Sequence, residues 1–273
     1  MTSQAQAEDI LREIAAREDS DIDLAEGALA LAAMDRPGVA LDRYRDHVAR
    51  LAEDVGASLA AGADLGDALN DVVLAKHGYA GDTLTYDDIQ NANLMRVIDR
   101  KKGLPVALGI LYMQAARSNG QQADGLNFPG HFIIRIGNGA DLHIIDPFNG
   151  GIERTATDLR DLLKATAGLE AELSPDHWAS VGNRDVLVRL QNNIKARHER
   201  AGRAEDALRV IERMQLFAPD MMLLWREAGV LHARLGNMNA AIAAFGEIVE
   251  RAESDQARHD AVSIIQKLKA RLN

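Results

Sequence analysis

The segment "FPGHFIIRIGNGADLHIIDPFNGG", residues 128–151, alternates apolar and polar residues on either side of "GNGA". A period of two marks strands, and a glycine–asparagine turn suits a tight hairpin. The segment predicts two antiparallel strands, with His131 opening the first and Asp146 closing the second. "ADGLNF", just upstream, predicts a third short strand. A His and an Asp on adjacent strands usually serve a third group, a nucleophile. Upstream of the strands, "LPVALGILYMQAARSNG" reads as a buried helix, with Pro105 in its first turn, where a missing N–H costs nothing, and Gly120 closing it. Downstream, "TDLRDLLKATAG" returns to helical spacing. The centre therefore runs helix, strand, strand, strand, helix.

The rest of the chain is helical in pattern. "EDILREIAARE", "LAEGALALAAMD" and "VALDRYRDHVARLAEDVGASLA" lie before residue 62, and "DLGDALNDVVLAKHG" ends at Gly78. Residues 79–103 read as a long loop with a short helix over 93–99. The last third carries a repeat. Gly202 and Gly236, Ala207 and Ala241, His198 and His232, and Ile211 and Phe245 are each spaced by 34 residues. That period, with Gly at the turn and small Ala between paired helices, is the tetratricopeptide pattern. Trp225 stands at the second repeat's first signature position, Pro219 ends the first unit, and "ARHDAVSIIQKLKARLN" reads as a capping helix.

Composition narrows the chemistry. The chain of 273 residues has 31 basic and 41 acidic side chains, a net charge of −10. Such a balance disfavours nucleic-acid binding, which needs basic surface to displace counterions, and docking on anionic lipid. The charge is uneven: residues 1–185 carry 17 basic and 30 acidic side chains, residues 186–273 carry 14 and 11. The shift suggests two domains, 1–180 and 186–273. Zero cysteines exclude disulfides, thiolate–metal sites and thiol nucleophiles. The N-terminus lacks the basic start and apolar block of a signal peptide, so the expected location is the cytoplasm.

Three blocks together, "VIDRKKGLPVALGILYMQAAR", "NFPGHFIIRI" and "IIDPFNGG", resemble the SirB-type branch of the transglutaminase-like superfamily over roughly residues 35–170. The resemblance implies an α+β, mostly helical fold: a transglutaminase-like (papain-like) core with a small antiparallel sheet, N-terminal helices wrapping it, then the tetratricopeptide-type region. It also implies that His131 and Asp146 occupy the family's His and Asp positions. The nucleophile position falls at Leu104 or Pro105, neither of which has a nucleophilic atom. Among nearby hydroxyls, Tyr112 lies two turns into the helix, and Ser118 lies on the order of 20 Å from its start at the usual helical rise. Thr83 and Thr85, in the preceding loop, lack activation by a helix end.

Several readings of the surviving pair follow. It is a buried structural couple, or part of a non-catalytic pocket at the helix N-terminus for a small acid or peptide. In the pocket reading Lys101, Lys102 and Gly103 lie on one side, beside Arg100, and Asn127, Phe128, Gly130, Phe148 and Asn149 on the other. A metal site is disfavoured because His143 and Asp146 fall on opposite strand faces, and no cofactor is expected. Asp99 and Arg100 read as a local ion pair or loop anchor, and Asn149, Gly150 and Gly151 as a positive-φ turn. The functional expectation is a binding or scaffold protein whose residues 186–273 either recruit a protein partner or pack against the central domain and enlarge its core. The alternative is a hydrolase or amide-processing enzyme in which His131, oriented by Asp146, acts as general base on water.

Overall fold

The computed structural model describes residues 4–272. It divides into two compact units: one holds Glu18–Leu190 with the extreme N-terminus, the other Glu8–Arg17 and Gln191–Asn273. The helices in chain order begin with α1 (Gln4–Ala15), α2 (Leu24–Met34), α3 (Asp42–Ala60), α4 (Leu65–Asn70), α5 (Leu94–Arg100), α6 (Pro105–Arg117) and α7 (Ala156–Ala167). They continue with α8 (Asn183–Arg200), α9 (Ala204–Phe217), α10 (Met222–Arg234), α11 (Met238–Arg251) and α12 (Asp255–Ala270). The strands are β1 (Ala80–Gly81), β2 (Lys102–Gly103), β3 (Ala123–Gly125), β4 (Ile134–Ile136), β5 (His143–Asp146) and β6 (Ile152–Glu153).

The first unit is organised around α6. Every residue from Pro105 to Met113 is buried, followed by Ala115 and Ala116. A helix apolar on all sides has no solvent face and must be enclosed. The antiparallel sheet β3–β4–β5–β6 packs its Ile134 toward α6 at Gly109. Its opposite face contributes Ile133 and Ile144 to a cluster with Leu159 and Leu163 of α7, together with Leu126 and Phe128. Register places Ile134 opposite Ile145 and Ile136 opposite His143. Arg135, between two core isoleucines, turns outward to Asp124 at 3.0 Å.

Three local features depart from the sequence reading. His131 does not open a strand: β4 starts at Ile134, and His131 lies in the bend before it, whose Gly130 has φ +73°. The loop 79–103 is tied down by a parallel bridge between β1 and β2. Immediately after α4 the chain widens into a π-helix over Asp71–Lys76. Parallel bridges of two residues and π-turns leave no periodic signature, which accounts for their absence from the pattern.

The second unit holds the repeats. Gly202 and Gly236 adopt φ of +70° and +83° at equivalent turns. Ala207 and Ala241 are fully buried. The Trp225 indole donates to the Pro219 carbonyl at 2.6 Å. Ala241, Phe245 and Ile248 of α11 meet Ala261 and Leu268 of α12, so the last helix covers the final repeat's apolar face. No helix among the described residues is long and apolar enough to cross a membrane.

A Cβ added at Gly109 would lie 2.5 Å from the Phe132 ring. Gly109→Ala gains helix propensity but overpacks a core that has no slack. It should lower stability by roughly 1–2 kcal/mol, read as a fall in the urea midpoint; an unchanged or higher midpoint would show that the ring moves aside freely.

Candidate functional site

The site is built on the end of β5. Asp146 is fully buried, and a buried carboxylate persists only with enough donors. His131 Nε2 lies 2.9 Å from its Oδ1. Asn149 donates through its backbone N–H at 3.3 Å to Oδ1 and through its amide Nδ2 at 2.8 Å to Oδ2. Arg154 donates to Oδ2 through Nη2 at 2.7 Å and Nε at 3.2 Å. Burial alone would raise the carboxyl's pKa. The hydrogen bond and charge of His131, then the bonds from Asn149 and Arg154, outweigh it and hold Asp146 well below the usual carboxylate range.

The chain after Asp146 is shaped by the same group. Residues Pro147–Asn149 form a short 3₁₀ turn capped by the Asp146 side chain. Asn149 is not at positive φ; only Gly150 and Gly151 are, because Asn149 must stay helical for its amide to return to the carboxylate. Gly151 donates its N–H to the Asp146 carbonyl at 2.9 Å. A Cβ there would fall 1.8 Å from Asn70 Oδ1. Asn70 in turn donates to the Gly151 carbonyl at 3.0 Å and accepts from the Tyr112 hydroxyl at 3.0 Å, linking the turn to α6.

His131 is held from both sides. Its side chain is only 12% exposed. The Phe148 ring meets it edge-on at 6.2 Å, and Tyr86 packs edge-on against Phe148 at 5.7 Å. Arg189 donates to the carbonyls of Phe128 and His131 and lies over the Phe132 ring at 5.2 Å, which fixes the bend. Nε2 is committed to Asp146, and Nδ1 has no protein partner among the described residues.

At the start of α6, Leu104 is the cap residue, fully buried, and its N–H goes to the Asn91 carbonyl at 2.9 Å. No side chain caps this end. Gly103 is buried against Val97. Lys102 is exposed. The Lys101 ammonium goes to His47 and Tyr79. Asp99 and Arg100 are not paired with each other: Asp99 binds Arg36 and Arg43, and Arg100 binds Asp82 and Asn91. Each neighbour in sequence reaches a different element because successive helical residues point in different directions. Phe128 sits inside the α7 cluster, and the Asn127 N–H pairs with the Ala179 carbonyl. Phe148 is half-buried and Asn149 exposed. His143 pairs with Glu153 at 2.9 Å, and no group of three His, Asp or Glu side chains converges among the described residues.

Arg154 and Arg189 are the site residues that sequence reasoning missed. Arg154 had a signal: the two glycines at 150–151 permit a turn, and a return strand after it brings residue 154 back beside β5, where its N–H pairs with the Ile144 carbonyl at 2.7 Å. Arg189 had none, being 58 residues from the His131 carbonyl it holds.

A mostly helical core built on a buried central helix, with a short antiparallel sheet that ends in a His–Asp pair, is the arrangement of a papain-like or transglutaminase-like domain, here lacking the thiol. Comparison with known proteins agrees. The chain belongs to the transglutaminase-like superfamily, whose profile matches residues 42–192, and a tetratricopeptide profile matches residues 194–267. A UPF0162 protein of Vibrio cholerae is 30% identical over 245 residues, covering 88% of this chain and 90% of its own length. A UPF0162 protein of Xylella fastidiosa is 31% identical over 181 residues, 64% of this chain and 63% of its own length. Protein SirB1 of Salmonella typhimurium is 27% identical over 163 residues, 59% of this chain and 60% of the relative.

Because the folded pKa of Asp146 is depressed, its contribution to stability is complete above the ordinary carboxylate value of about 4 and is lost as pH falls below it. Asp146→Asn should therefore destabilise at pH 7 by roughly 3–5 kcal/mol through the uncompensated Arg154. It should also flatten the loss of stability between pH 5 and pH 3, each about one unit from the ordinary value. Urea midpoints at several pH values check both; an equal acid slope in the two proteins would mean that other carboxylates dominate.

Proposed function

We propose that this chain is a non-catalytic transglutaminase-like protein acting as a binding or scaffold module for a polypeptide partner. The observation that carries the reading is the start of α6, where the position that must attack is a buried Leu104 followed by Pro105. Without a nucleophile there the covalent acyl-transfer route is closed. Two further features support it. The Asp146 carboxylate is shared between His131 and Arg154, so its charge is already neutralised by a fixed guanidinium. The imidazole is largely covered.

The repeats supply the binding capacity. The outer face of α10 leaves Leu223 and Val230 about half exposed, at 56% and 46%, with Arg226 between them. Apolar side chains at helical spacing with an intervening cation suit an amphipathic segment of another protein. Of the residues expected around the remnant pair, Gly130, Phe148 and Asn149 adjoin it, whereas Lys101 turns to His47 and Tyr79, Gly103 packs on Val97 and Phe128 packs with α7. A small acidic or peptide ligand at this place is the second element of the proposal.

The alternative, a hydrolase using His131 as general base on water, is favoured by one feature, the unpartnered Nδ1. Purified chain incubated with glutaminyl and amide substrates separates the two. The binding reading expects no amine or ammonia release above buffer, with His131→Ala indistinguishable from the parent. A release rate abolished by His131→Ala establishes the hydrolase. For the repeats, Leu223→Glu with Val230→Glu in the full chain should abolish co-purification of any partner the parent retains, with the fold intact by circular dichroism.

A further inference from the structure

A second cluster of reactive groups lies away from the His131–Asp146 pair, where α3, the turn after the π-helix and β2 meet. Lys101 Nζ, His47 Nε2 and the Tyr79 hydroxyl form a triangle: 3.1 Å from lysine to imidazole, 3.2 Å from lysine to hydroxyl, and 2.7 Å between imidazole and hydroxyl. The Lys101 ammonium also stands over the Tyr79 ring at 4.3 Å from its centroid. His77 meets His47 edge-on at 5.5 Å and is itself bonded to Asp54 at 2.7 Å. Tyr79 is buried, while Lys101 and His47 are half-buried, so the amine is confined but reachable.

The backbone holds the lysine in place. Lys101 has φ +59°, the only positive φ outside glycine among the described residues. Left-handed backbone at a non-glycine residue is unfavourable and persists only where its surroundings fix it. Here they do: the Lys101 N–H bonds Val97 at 2.8 Å, and its carbonyl accepts from Ala80 at 3.0 Å. The result aims the side chain back at α3 and away from the start of α6, whereas its neighbour Lys102 points to solvent.

We propose that Lys101 is a modification site: a reactive amine, oriented by hydrogen bonds to His47 and Tyr79, that takes the acyl group of a small activated acyl donor. The Lys101 nitrogen attacks the acyl carbon. Lys101 reacts as the neutral amine, its ammonium proton having been lost to solvent; the new C–N bond forms as the C–O bond of an acyl phosphate breaks, and the departing phosphate takes the electron pair and the proton that the nitrogen then sheds. No other co-reactant is required. The product is a neutral amide where a cation had faced the Tyr79 ring, so acylation removes a charge from the centre of the cluster.

The electrostatics agree with this geometry. Burial pushes the Lys101 amine down, opposed by the Asp99 carboxylate. Burial first, then the charges of Lys101, His77 and Arg50, lower His47 to about 4, so the imidazole is neutral near pH 7 and receives the amine's hydrogen bond without adding a charge. Lysines activated by desolvation and neighbouring cations are the amines that act as nucleophiles.

Acetyl phosphate tests the proposal on the full chain, with site occupancy followed by peptide mass spectrometry. Lys101 should be acetylated severalfold faster than the exposed Lys102, which serves as the internal control. Its rate should level off below the ordinary amine range of about 10. His47→Gln should reduce the Lys101 rate severalfold and leave the Lys102 rate unchanged. Should His47→Gln fail to fold, Tyr79→Phe takes its place, since losing the hydroxyl that positions the imidazole should lower the Lys101 rate selectively. A Lys101 rate at or below that of Lys102, or one untouched by the substitution that folds, overturns the proposal.

Discussion

The carboxylate of Asp146 is the constraint on which the site depends. An ion with no exposed surface needs every lone pair engaged, and here five donor groups from three residues meet it. Each donor is brought by a different piece of chain: the bend before β4, the 3₁₀ turn, and the segment after β6. Those pieces therefore lose their independence. Moving any one would leave a buried charge short of partners, which costs several kcal/mol. The turn extends the constraint further, because Gly151 sits against Asn70 and, through it, Tyr112 on α6.

That arrangement bears on chemistry as well as stability. In a catalytic couple the carboxylate stabilises an imidazolium that appears only when a proton has been taken. Arg154 supplies a permanent positive charge to the same carboxylate, so less of its field remains for the imidazole. The Asp146 side chain is also occupied as the cap of Pro147–Asn149. The carboxylate thus holds in place the loop that runs from Pro147 to Arg154.

The sequence revealed those features that repeat or persist. The apolar face of α6 runs all the way round, so its burial was readable without any partner being known. The 34-residue period exposed the repeats because a fixed spacing is independent of tertiary context. Asp146 closes β5 as the alternation predicts, whereas His131 lies in the bend before β4, outside the strand expected to begin with it. What escaped was set by tertiary contact alone. Lys101 carries no mark in "DRKKG" to say that it adopts left-handed backbone and reaches α3 while Lys102 does not. Asp99 and Arg100, adjacent and opposite in charge, suggest a pair, yet helical geometry sends them apart to Arg36 and Asp82. Arg189 finds two carbonyls that lie far from it in sequence.

The repeats show how one pattern tolerates unequal contents. In the second repeat Gly229 faces Phe245, and a Cβ at that glycine would lie 2.6 Å from the ring. Stepping back 34 residues gives the equivalent pair, Lys195 and Ile211. The first unit carries a lysine where α10 has the glycine and an isoleucine where α11 has the aromatic ring. Lys195 binds Glu227 of α10 at 2.6 Å, an ion pair that a glycine cannot make. Gly229 is thus fitted to its own partner ring, a fit that the 34-residue period does not carry to the first repeat. A pattern that names only the small Ala207 and Ala241 captures the invariant part of that packing and misses the exchange beside it.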